Sequence, residues 1–202
     1  MKKTDIIMLL GMTGAIAFTN IFGVGRTLYS LERDVLRLHI LANSDTDEDQ
    51  QLKLAVRDKL LENSEELFGG CDTLDEMKCR AREKQSEIND IALSVIHDKG
   101  YDYDVKNSVV NMEFDDRTYG DMTMPAGTYD ALRVEIGSGK GHNWWCVMYP
   151  PLCLPAAEEV EAHKEKADDY FTDQQIDMLE NHDDYKVRLW CVDFFKKIFS
   201  LF

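Results

Sequence analysis

Positive charge is scarce in this chain. Its 23 lysines and arginines stand against 38 aspartates and glutamates, a formal net charge of −15. Proteins hold nucleic acid chiefly by setting Lys and Arg against phosphate, so no nucleic-acid partner is expected of so acidic a chain. The same imbalance favours solubility and repels anionic lipid head groups. The five cysteines include no C-x-x-C pair, which argues against a structural zinc site. Proline is rare, four in all, and two of them adjoin as Pro150-Pro151. Neither can donate to a sheet ladder, so any strand entering them stops there.

Several chemical motifs are approached and then missed. Asp45-Thr-Asp-Glu-Asp49 sets acids at the first, third and fifth places of a calcium loop. Gln50 and Val56 stand where that loop needs Gly and a bidentate Glu, so the run reads as an acidic helix start. Gly139-Lys140 lacks the earlier glycine of a phosphate loop, where Val134 stands, and Gly141 replaces its Ser/Thr. Ser138 is no nucleophile elbow, because Ile136 holds the place of the first Gly. Cys146 and His142 lie too far apart on an extended segment for one to activate the other. No metal, cofactor or catalytic group is therefore expected.

What the chain does have begins at its amino terminus. Lys2 and Lys3 precede an uncharged run from Ile6 to Val24, with Ala15-Ile16-Ala17 as a small-x-small site. That layout is a secretory signal peptide, or, left uncut, an anchor over residues 6–24. Either way the chain is exported. Its parts are then a signal or anchor (1–25), an α+β core (26–154) and an acidic helical extension ending in an aromatic helix (155–202). Outside the cytoplasm thiols can oxidise, so Cys146 and Cys153 are either a bridge across the Pro-Pro turn or two free thiols. Cys71, Cys79 and Cys191 read as small buried apolar residues.

Periodicity supplies the elements. After a polar connector (26–34), Leu36, Leu38 and Ile40 alternate with Arg37 and His39 as a half-buried strand. Asp45 with Glu48 reads as the cap of a helix reaching Gly69-Gly70, and Thr73 with Glu76 as the cap of a second helix closed by Gly100. Strands follow from Tyr103 to Phe114, with a change of phase near Ser108–Val110, and through Leu132, Val134 and Ile136. Gly137–Asn143 turns the chain into Trp144–Tyr149, apolar on both sides and so taken as the central strand. The fold expected is an α+β two-layer sandwich: a mainly antiparallel sheet in the order β-α-α-β-β-β, with a helical hairpin on one face and C-terminal helices. In the last third, Thr172 and Gln175 read as a capping pair, and Tyr185–Trp190 as an edge strand. The terminal helix carries Phe194, Phe195, Ile198 and Phe199, for docking on the core or, beside Lys196 and Lys197, for contact with a membrane.

Two stretches carry a resemblance. Gly139-x-Gly-x-Asn-Trp-Trp-Cys-Val, followed by Pro150-Pro-Leu-Cys153, is one; Leu36-Arg-Leu-His-Ile-Leu-Ala-Asn-Ser-Asp45 with Asp49, Lys53, Arg57 and Asp58 is the other. Together they resemble the stage II sporulation protein R family. The resemblance implies a non-enzymatic signalling protein exported into the space between forespore and mother cell. There it would activate a membrane-embedded aspartic protease that removes the pro-sequence of sigma-E. Polar residues that break the apolar pattern mark two places for contact with that partner: His39, Asn43, Ser44, Asp45 and Asp49 at the strand-to-helix corner, and Lys140, His142 and Asn143 in the turn. The resemblance adds Lys53 and Arg57, as signature positions, to these candidates. A rival reading is an extracytoplasmic hydrolase of cell-wall material, with Asp45, Asp49 and His39 as acid/base groups. A third is a lipid-associated domain acting through its aromatic tail.

Overall fold

The computed structural model describes residues 3–150 and 169–199. The chain divides into two units, one of residues 32–114 and 128–170, the other of 1–31, 115–127 and 171–202. Those boundaries cut across the division expected at residues 25 and 154. Cys153 and the acidic stretch from Pro155 to 168 lie outside the described residues.

The larger unit is a four-stranded sheet with helices. In chain order it holds β1 (Leu36–Leu41), α2 (Asp47–Glu62), α3 (Ser64–Phe68), α4 (Leu74–Glu83), α5 (Gln85–Asp98), β2 (Val105–Phe114), β5 (Gly127–Ile136) and β6 (Asn143–Tyr149). The strand order is β2-β5-β1-β6. β1 runs parallel to β5, with Leu38 opposite Leu132, and antiparallel to β6, with His39 opposite Trp145. The α+β class and the mainly antiparallel sheet are as expected.

The middle of that sheet is not the strand expected there. Trp144–Tyr149 forms β6 at one edge, and only Cys146 and Val147 within it are buried. The strand covered on both faces is β1, all six of whose residues are buried. Arg37 and His39 had suggested a solvent face, yet both are inside, at 0% and 3% exposure. A lining of aromatic rings makes this tolerable. The Arg37 guanidinium lies 4.2 Å from the Phe114 ring centre and 5.3 Å from that of Tyr129. His39 meets Phe114 and Trp145 edge-on. Alternation holds along most of β6, where Trp145 faces this aromatic layer, but a shift of register at its end sets Tyr149 opposite Leu36, beside Met148, Leu61 and Phe68. Met148 shares a small apolar recess with Leu38, Leu132, Leu60 and Ile88 on the helix side.

Each helix of the expected hairpin is broken in two. Asn63 ends α2, its N–H reaching back to Lys59, and Lys84 separates α4 from α5. The capping box at Thr73 and Glu76 is present. The first cap sits one residue later than expected: Thr46, not Asp45, accepts from the Asp49 N–H at 3.3 Å. Asp45 is thereby free for another use. In β2 the buried ends, Val105 and Phe114, have opposite parity, with half-buried and exposed residues between them.

The second unit is built on α1 (Lys3–Asp34), joined by the small antiparallel pair β3 (Arg117–Tyr119) and β4 (Met122–Met124), α6 (Asp173–Glu180) and α7 (His182–Phe199). The connector expected at 26–34 is instead the end of α1. Val24, Leu28 and Leu31 fall at helical spacing and are all buried. Tyr185–Trp190 is no strand but part of α7. Tyr185, Leu189 and Val192 recur every three to four residues and pack with Ile21, Val24, Leu28 and Met178. The Thr172–Gln175 capping box opens α6 as expected. The side chains of Phe195, Ile198 and Phe199 lie outside those described.

A buried guanidinium stacked on two rings is a planar fit that an ammonium does not reproduce. Arg37→Lys should lower the unfolding free energy by about 2 kcal/mol, read from denaturant titration of the purified protein.

Candidate functional site

The two polar stretches singled out in the sequence are one site. The segment after β1 (42–45) and the glycine turn before β6 (137–143) fold against each other. Gly141 N–H donates to the Ala42 carbonyl at 2.9 Å, and Ser138 Oγ to the Asn43 carbonyl at 2.6 Å. The Asn43 side-chain carbonyl accepts from Ser138 N–H at 3.0 Å.

Glycine is required twice in this turn. Gly137 has φ +57°, and a Cβ there would stand 2.5 Å from Asn43 Oδ1. At Gly141 a Cβ would press into the Ser44 backbone carbonyl, which has no room to move away. The first is a conformational need and the second a steric one.

Asp49 anchors the corner from the first turn of α2. It is 4% exposed, and its Oδ2 accepts from Ser44 Oγ at 2.5 Å and Asn43 Nδ2 at 2.8 Å. Burial by itself would raise its pKa. Hydrogen bonds from Ser44, Asn43 and Tyr103 outweigh that and hold the carboxyl below its ordinary value. One turn further on, Lys53 is 5% exposed and donates to Gln50 Oε1 at 2.6 Å and to the His142 carbonyl at 2.9 Å. Burial and the neighbouring Arg57 charge lower its pKa, against the pull of Asp45.

Asp45, released from capping, reaches the turn instead. Its Oδ1 accepts from His142 N–H at 2.6 Å and meets His142 Nδ1 at 2.5 Å. Both side chains stay largely outside, at 56% and 76% exposure. His39 donates from Nε2 to Asn143 Oδ1 at 3.0 Å. Its Nδ1 is then the unprotonated nitrogen, buried and without a partner. Burial, only partly offset by the Asn143 bond, lowers the His39 pKa from 6.5. Arg57 is bound to Asp58 at 2.6 Å and lies over Trp144, 5.0 Å from its ring centre.

The ten residues proposed for partner contact thus separate into a frame and a rim. His39, Asn43, Ser44, Asp49, Lys53 and Arg57 are held inside or within hydrogen bonds of the fold. Asp45, Lys140, His142 and Asn143 are exposed. Ser138, Gln50 and Tyr103 belong to the frame and were not singled out; the glycines on either side of Ser138 were the signal that its backbone is closely approached. The carboxylates that a hydrolase would need are engaged here, Asp49 by two donors and Asp45 by His142. His39 turns its proton toward Asn143. Cys146, in β6, is disulfide-bonded, and Cys71, Cys79 and Cys191 are free. Among the described residues no cluster of His, Cys, Asp or Glu could hold a metal ion.

Comparison with known proteins sets this site in a lineage. The family model described as stage II sporulation protein R matches residues 32–159, a span that contains every residue of the frame and rim. The chain belongs to the stage II sporulation protein R family. Stage II sporulation protein R of Bacillus subtilis (strain 168) is 35% identical over 144 residues, which are 71% of this chain and 64% of that protein. The chain is thus matched to a little under two thirds of that relative's length. No solved structure matches. Membership supports a sporulation role and leaves the chemistry to be argued from the corner.

The buried histidine gives a pH dependence with a definite sign. Well above pH 6.5, the ordinary value, His39 is neutral in both folded and unfolded chains and contributes nothing. Below it the unfolded chain takes up the proton first, so stability falls with acidification until the lower folded pKa is passed. His182, also buried with a lowered pKa, adds to the fall with the same sign. His39→Gln, which can keep a donor toward Asn143, should flatten the decline between pH 7.5 and 5.5 in denaturant titrations relative to the parent chain. The frame makes a second demand: Asp49→Ala strands the half-buried donors of Ser44, Asn43 and Tyr103 and should cost about 1–3 kcal/mol, measured at neutral pH.

Proposed function

We propose that this chain is an exported signalling protein of endospore formation. It acts in the space between forespore and mother cell, where it activates a membrane-embedded aspartic protease that matures sigma-E. The observation that carries this reading is the division of labour at the corner. Its polar residues, which a catalyst would keep available, are committed to internal bonds. What remains facing outward is a small rim of mixed charge on a rigid frame: Lys140, His142, Asn143 and Asp45. A preorganised polar rim is suited to recognising a protein surface, because little ordering cost remains on binding. Family membership supports the sporulation setting. The amino-terminal helix supports passage into or across a membrane, since it is long and apolar enough for either.

The test is co-purification of the full chain with the sigma-E-processing protease, detergent-solubilised from sporulating cells. The parent chain should retain the protease. Lys140→Glu and His142→Ala, both at exposed positions and expected to change stability by less than about 1 kcal/mol, should weaken that capture roughly tenfold or more. Both should also fail to restore sigma-E maturation in a strain lacking the chain. Equal capture by parent and rim variants would move the contact elsewhere. Release of soluble fragments from purified cell wall by the parent chain would favour the hydrolase reading instead.

A further inference from the structure

The amphipathic helix α7 shows one apolar face too many. Its inner face, Tyr185, Leu189 and Val192, packs with Ile21, Val24, Leu28 and Met178. On the opposite side Val187, Trp190 and Phe194 fall at i, i+3 and i+7 and form a second stripe, exposed by 74%, 66% and 48%. Trp190 and Phe194 stack on each other, with ring centres 5.6 Å apart. Large apolar side chains that line up on a surface call for a covering.

The neighbouring helix indicates which covering. From Lys3 to Asn20 every described side chain of α1 is exposed, among them Ile7, Met8, Leu10, Met12, Ile16 and Phe18. Of these, the uncharged residues Ile6 to Asn20 span about 22 Å at the helical rise, most of a bilayer's hydrocarbon core, with Lys3 and Asp5 left at its far surface. Packing into the fold starts at Ile21. Val192 of α7 touches the Gly25 position, 3.6 Å from where a Cβ would stand. Gly25 is five residues past Asn20, about 7 Å along the helix. Trp190 and Phe194 flank Val192 by two residues, so the exposed stripe lies close to the level at which α1 leaves the hydrocarbon. Indole and phenyl rings are favoured at that level, where apolar tails meet head groups.

We infer that the Val187–Trp190–Phe194 stripe of α7 rests in the head-group layer of the membrane that holds the uncharged residues 6–20 of α1. The pair then fixes the second unit to one bilayer surface through two contacts. The attraction is apolar: the chain's excess of acid gives it no pull toward anionic lipid, so uncharged phospholipid suffices. The inference goes beyond the proposed signalling role and does not depend on it.

Fluorescence of the full chain in phosphatidylcholine vesicles tests it. The emission of Trp190 is the difference between parent chain and Trp190→Phe, a change at an exposed position in which Trp144 and Trp145 cancel. Vesicles with bromine on the acyl carbons nearest the head group should quench that difference signal, while iodide in the water should leave it bright. Quenching by iodide and not by bromine would place Trp190 in water and overturn the inference. A signal shielded from both, with cross-linked dimers in the vesicles, would overturn it too, in favour of a second copy as the cover.

Discussion

A carboxylate buried beside its own helix start organises this protein. Asp49 is removed from water without a cation against it, so its charge has to be met by donors from Ser44, Asn43 and Tyr103. That need fixes the path of the chain as it leaves β1. Asn43, held by Asp49 on one side, presents its carbonyls to Ser138 on the other, and the glycine turn closes where only glycine fits. The turn in turn sets where β6 begins. A charge buried at one point thus positions two segments nearly a hundred residues apart, and the outward rim inherits its geometry from that single accommodation.

Much of this is legible in the sequence, and what is not has physical causes. Period-two alternation correctly assigned Trp145 and Met148 to opposite sides of one strand. It could not say which strand lies in the middle, because strand order is a non-local property. Arg37 and His39 misled in a specific way. A charged residue on alternate positions ordinarily marks water, whereas here Phe114 and Tyr129, contributed by β2 and β5, provide a lining for the guanidinium. Nothing within β1 announces rings that arrive from Phe114 and Tyr129, far along the chain.

At the helix ends the errors are of one residue or of one turn. Asp45 and Thr46 are both good cap residues; Thr46 takes the cap, and Asp45 is turned toward His142 of a turn that the local sequence does not reveal. The stretches 26–34 and 185–190 were misassigned for lack of a partner in view. Each has a sparse apolar stripe that gains meaning only when Val24 and Leu28 are set against Leu189 and Val192. The site was found as two separate polar anomalies, and their juxtaposition needed the fold.

The strand order has a consequence for biogenesis. β1 sits between β5 and β6, so the first strand to be made waits for partners at residues 130–135 and 143–149. Sheets assembled from such distant segments form late, since the closure of a long loop must precede any reward. In the export proposed above, that lateness is useful. Threaded through a translocase from its amino end, the chain would not complete its sheet on the near side before most of the domain had been made. The topology itself would keep it loose enough to travel.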